Sequence, residues 1–167
     1  MRSRTAVWGW LLPLALGFTP LGAQEPRTDI GLYGFSARGG VDFDGPGQAI
    51  VSMALDVGHL FTQRLRLRPS GDLGFLGDDN TYVASLELIY RFVDDVQPVV
   101  PYVGTGLGLF GRELCGQDPG CPGVWIQLAV GFEVRVRDPV SWLLEYHAMD
   151  AFDRHRFMIG LTTRRWR

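Results

Sequence analysis

Arg64, Arg66 and Arg68 occupy alternate positions of one segment, Arg-Leu-Arg-Leu-Arg. Guanidinium groups so spaced suit phosphate or nucleic-acid recognition if they cluster outward, and ion pairing if they face into a fold. Carboxylates recur in matching settings: Glu87 precedes Arg91, Glu133 precedes Arg135, and Glu145 lies two residues before His147. Two residues apart on an extended strand means the same face, so Glu145 and His147 have the disposition of an acid that orients a base. No nucleophile is placed for that base to activate. His59 and His155 fall where turns are expected and are read as turn residues rather than ligands. No group of His and Cys has the spacing of a metal site, so neither a metal nor another cofactor is expected.

These charges need elements that point them all one way, and the segment Val124 to Val136 shows what those elements are. Its even positions are all apolar, Val124, Ile126, Leu128, Val130, Phe132, Val134 and Val136, while Gln127, Ala129, Gly131, Glu133 and Arg135 lie between them. A period of two is the strand period. The same alternation predicts strands over 48–58, 63–75, 81–92, 99–111, 140–148 and 154–165, separated by turn-rich segments. The first strand, within 29–38, is blurred: Ile30 and Leu32 lie in one phase, Tyr33 and Phe35 in the other. Gly39 to Gly47 reads as a loop. If the third and fourth strands form a hairpin, Glu87 comes beside Arg68 or Arg66. Gly104, Gly106 and Gly108 share one face of the fifth strand, where they permit curvature and leave room for long side chains.

Across the second to eighth strands the apolar phase carries no charge. The other phase carries Arg64, Arg66, Arg68, Glu87, Arg91, Glu133, Arg135 and Glu145, with Asp56, Asp72 and His147. A soluble barrel places its apolar phase inside and its wet phase outside. A membrane barrel reverses that, because an arginine facing lipid at mid-depth costs a few kcal/mol. The residues at 1–23 have the form of a secretory signal peptide: Arg2 and Arg4, an apolar run from Ala6 to Phe18, and a short end at Ala23. Residues 24–167 then form one domain, about 18 residues for each of eight strands with its turn, near what a tilted strand of 9 to 11 residues plus connection requires. Phe75 and Tyr82 near one rim, and Tyr90, Phe92 and Trp142 near the other, suit aromatic girdles. The expected fold is all-β, an eight-stranded antiparallel up-and-down transmembrane barrel.

The totals narrow the function classes. All 16 basic residues are arginine, yet the net charge is -2, so nucleic acid is not an expected partner. Cys115 and Cys121 lie in Cys-Gly-Gln-Asp-Pro-Gly-Cys, which is not a Cys-x-x-Cys motif; after export the pair is expected to close a surface loop as a disulfide.

The leader, the Pro101-Tyr102-Val103-Gly104-Thr105-Gly106-Leu107-Gly108 strand, the Leu144-Glu145-Tyr146 strand and the final Ile159-Gly160-Leu161 strand together resemble the small OmpA/OmpX-type outer-membrane β-barrels of Gram-negative bacteria. The resemblance covers Gln24 to Arg167. It implies a monomer in the cell outer membrane, with outer-membrane lipid and the barrel-assembly machinery as partners. One departure is the terminus, where Trp166 is followed by Arg167 although the family ends in an aromatic residue. The function implied is non-enzymatic: a lumen filled by its own charged side chains, in a barrel serving envelope integrity or surface adhesion. Two alternatives stand beside it. One is a lipid A-modifying enzyme using His147, although such deacylases carry Ser two residues after the His and Met149 stands there. The other is a secreted, soluble ligand-binding barrel.

Overall fold

A computed structural model describes residues 28–43, 47–77, 80–112 and 121–164. The strands are β1 (Asp29–Asp42), β2 (Gln48–His59), β3 (Leu65–Phe75), β4 (Thr81–Arg91), β5 (Val99–Arg112), β6 (Gly123–Arg137), β7 (Val140–Met149) and β8 (Arg154–Arg164). Each pairs antiparallel with its sequence neighbour, and β8 returns to pair with β1, from Gly34 opposite Arg164 to Asp42 opposite Arg156. The sheet is therefore closed and has no free edge, so the strands' backbone N–H and C=O groups find partners within the cylinder.

Alternation sets which side chains enter the cylinder. On β4, Thr81, Val83, Ser85, Glu87, Ile89 and Arg91 are buried while Tyr82, Ala84, Leu86, Leu88 and Tyr90 are exposed. On β6 the exposed positions are the even ones, from Val124 to Phe132, with Gln127, Ala129 and Glu133 buried between them. Burial in this closed sheet thus means the lumen, and the apolar phase is the outer wall.

The first strand departs from expectation in two ways. Its register against β2 shifts between Ile30 and Gly34, which accounts for the blurred alternation: Leu32 and Tyr33 lie within the irregularity, and regular pairing resumes at Gly34. The strand also continues to Asp42, so Gly39 to Asp42 are strand and not loop. Gly40 can stand there because it faces the backbone of β8 closely; a Cβ on it would lie 2.9 Å from Met158 Cα. His59 is the last residue of β2, and His155 lies within β8 on the outer wall, stacked on Tyr146, whose hydroxyl is 2.6 Å from His155 Nδ1. Neither is a turn residue.

One end of the cylinder carries the short connections 60–64, 92–98 and 138–139, and the other carries the connections after β1, β3, β5 and β7. We call these the turn end and the loop end. Near the turn end, Gly58 takes φ 115°, a left-handed-side conformation that glycine adopts without Cβ strain, where β2 shifts register against β3. At the loop end β7 runs into a single 3-10 turn, Asp150–Phe152. The expected leader at 1–23, Cys115 and the Trp166-Arg167 terminus fall outside the described residues. No described helix is long and apolar enough to cross a membrane, which leaves open crossing by strands.

Candidate functional site

The lumen holds charge in three tiers. At the loop end, Arg156 is fully buried and binds Asp72 at 2.7 Å and Asp42 at 3.2 Å, and Arg154 binds the same Asp42 oxygen at 3.2 Å. The Arg154 guanidinium also lies over Phe110 and Trp125, two inward rings stacked with centroids 4.0 Å apart. Two arginines thus balance two aspartates, with the aromatic pair filling the space beside them.

The middle tier centres on Glu145, which is 1% exposed. Arg38 Nη1 donates to its Oε2 at 2.5 Å; Arg68 Nη1 and the Tyr102 hydroxyl both donate to its Oε1, the latter at 2.6 Å. Arg68 Nε reaches across the hairpin to Glu87 at 2.6 Å, and Gln127 Nε2 donates to the other Glu87 oxygen at 2.7 Å. Arg68 and Glu87 are direct cross-strand partners. Arg38 also donates to the Ser52 hydroxyl through Nε and Nη2. His147 stands between the two carboxylates, Nε2 3.4 Å from Glu145 and Nδ1 3.7 Å from Glu87.

Space for these long side chains comes from glycine opposite them. Gly131 pairs with both Tyr102 and Glu145, and a Cβ there would lie 2.6 Å from the Tyr102 hydroxyl. Below this tier Ile89, Tyr102 and Leu143 form a small apolar cluster.

At the turn end, Arg66 binds Asp56 and Asp95, both at 2.9 Å; Arg91 binds Asp95 at 2.6 Å and Glu133 at 3.3 Å; and Arg135 Nη2 donates to the Asp95 backbone oxygen at 2.5 Å. Burial of an ion costs several kcal/mol unless opposite charge and hydrogen bonds surround it. The three tiers meet that condition by local pairing, which fixes the side chains across the bore.

Of the sequence-predicted set, Arg66, Arg68, Glu87, Arg91, Glu133 and Glu145 lie in the lumen. Arg135 sits at its turn-end mouth, within 3.6 Å of Asp138 as well as against Asp95. Arg64 does not join them. β3 begins at Leu65, so Arg64 belongs to the preceding turn, with its side chain 45% exposed and 3.2 Å from Asp94. Sequence reading missed Arg38, Asp42, Arg154 and Arg156. The signal was present for all four. Ser36, Arg38, Gly40 and Asp42 continue one phase past the glycine pair, and Arg154 and Arg156 share the phase of Met158, already assigned inward. Cys115 lies outside the described residues, so the Cys115–Cys121 pairing stays an expectation. Among the described residues no three His, Cys, Asp or Glu side chains gather as a metal site.

No protein-family description matches the chain, and no curated protein does. Solved structures do. The N-terminal β-barrel domain of Pseudomonas aeruginosa OprF aligns with a TM-score of 0.60 at 13% identity, over 80% of this chain and 98% of that one. Neisserial surface protein A aligns at 0.59 with 15% identity, over 79% of this chain and 95% of that one. A barrel from the de novo design of transmembrane β-barrels gives 0.54 at 15%, over 85% and 98%. At such identities the shared property is the fold, an eight-stranded antiparallel closed barrel of the size these small barrels have.

Proposed function

We propose that the chain is a non-enzymatic outer-membrane β-barrel of the OmpA/OmpX type, with a lumen sealed by its own side chains and a role in envelope integrity or surface adhesion. One observation carries this: between the strand ends of β2 to β8 no Asp, Glu or Arg stands in the outward phase, while the inward phase holds the paired charges. Water outside would leave Leu73, Leu86, Leu107, Ile126, Val130 and Ile159, each more than half exposed, wetted all round the cylinder. Lipid outside makes the same wall favourable. On β4 and β6 the outward apolar residues span about 20 to 30 Å of height at ~3.4 Å per residue and ~40° tilt, against a hydrocarbon band ~25 Å tall.

The non-enzymatic reading is supported by His147, which is 2% exposed and held between Glu87 and Glu145, facing away from the wall where a lipid substrate would lie. Export through a leader cleaved after Ala23, insertion by the barrel-assembly machinery, a monomeric state and a Cys115–Cys121 disulfide belong to the same proposal. The test is membrane fractionation with detergent gels of boiled and unboiled samples. Recovery in the outer membrane with a faster unboiled band is expected; recovery in the soluble periplasm without detergent would overturn it.

A further inference from the structure

Arginines from three strands close on one residue of the β4–β5 turn. Arg66 of β3 and Arg91 of β4 each bind the Asp95 carboxylate, and Arg135 of β6 holds its backbone oxygen. Within the turn the Gln97 N–H donates to the Asp94 backbone oxygen at 3.1 Å, and at its end the Arg135 N–H donates to the Pro98 oxygen at 2.8 Å. Val96, Gln97 and Pro98 face solvent, and the neighbouring Asp94 pairs only at the rim, with exposed Arg64.

Inward of the Arg66 and Arg91 guanidinium groups the lumen keeps a small space. A cavity of about 20 Å³ lies there, lined by Asp56, Arg66, Arg68, Arg91 and Glu133 among others. That is room for about one water molecule. Arg66 Nε and Arg68 Nη2, on two of the lining residues, are buried donors without a partner. Arg66 and Arg91 face both this space and Asp95, so an acceptor suits this end of the lumen. Asp95 already displays the acceptor geometry that suits it, a planar carboxylate gripped by two guanidinium groups.

We propose that the turn-end mouth is a carboxylate-binding site whose resident occupant is Asp95, tethered by its own turn, and that a soluble carboxylate takes its place when the turn swings outward. The incoming group inherits the Arg66 and Arg91 donors, both of which also line that cavity. A singly charged carboxylate replaces the Asp95 charge one for one. A phosphate dianion would add charge beside Asp56 and Glu133, so it fits less well. The tether holds Asp95 at a local concentration on the order of millimolar or above, so free ligand binds the unaltered protein weakly. The site depends only on the lumen and stands whatever surrounds the barrel.

The test uses the full chain in detergent with Asp95→Gly, which removes the resident carboxylate and keeps the backbone oxygen. Titrating sodium acetate should raise the thermal midpoint of this variant saturably, whereas sodium chloride at matched ionic strength should not. The unaltered protein should need at least about tenfold more acetate for the same fractional response, because its tethered carboxylate competes. Adding Arg66→Gln to the variant should abolish the acetate response. Equal shifts from acetate and chloride, or a response that survives Arg66→Gln, would overturn the assignment. If Asp95→Gly yields no folded, heat-modifiable band, Asp95→Asn keeps the turn's shape without its charge, and indifference of that variant to acetate would be equally fatal.

Discussion

The two walls of this cylinder are made by the same strands and could hardly differ more. Outward stand Leu86, Ile126, Val130 and Ile159, exposed and apolar; inward, one residue away on the same backbones, stand Glu87, Gln127, Gly131 and Met158, packed among ion pairs. A chain folding in water would place the first set inside. The reversal is what supports an apolar medium outside, and it makes the lumen the place where polar groups must satisfy one another.

The comparison can be broken most severely from within. Glu145→Leu removes the acceptor shared by Arg38, Arg68 and Tyr102 and leaves Arg68 with Glu87 alone and Arg38 with Ser52 and a distant Asp72, so a loss of about 3–5 kcal/mol is expected in urea unfolding from micelles. From without, Leu86→Arg places a charge at mid-height on the outer wall of β4. In lipid vesicles it should cost about 2–4 kcal/mol, and in a barrel surrounded by water almost nothing. Packing across the bore comes next. Gly131→Val drives a side chain into Tyr102, with about 1–3 kcal/mol lost, read by the same unfolding series. Smallest is Arg64→Ala. Its partner Asp94 is more exposed than it is, so the unfolding midpoint should stay where it was, in contrast to Arg68→Ala four residues along.

Arg64 and Arg68 also mark how far the sequence was legible. Alternation assigned both to one inward face, and it was right for Arg68 alone. It could not say where β3 begins, and a strand that starts at Leu65, two residues later than the alternation predicts, leaves Arg64 in a turn with water around it. The Arg68–Glu87 contact was readable because a hairpin makes it local. Arg38–Glu145 was not, since the two residues are 107 apart in sequence and meet only across the closed bore. The blurred start of β1 had a physical cause in the register shift after Ile30, and Gly39-Gly40 looked like loop because glycine usually punctuates. Here Gly40 instead admits close packing against β8. The Asp95 clamp was hidden for a related reason: a turn residue carries no phase, so nothing in the periodicity points it into the lumen.

The most direct measurement is quenching of single-tryptophan proteins by brominated lipids after reconstitution. Trp142 lies on the outer wall and half exposed, while Trp125 faces the lumen against Phe110. A protein retaining only Trp142 should be quenched strongly by bromine on the acyl chains, and one retaining only Trp125 much less. Equal quenching at the two positions, or none at Trp142, would contradict a lipid-facing outer wall.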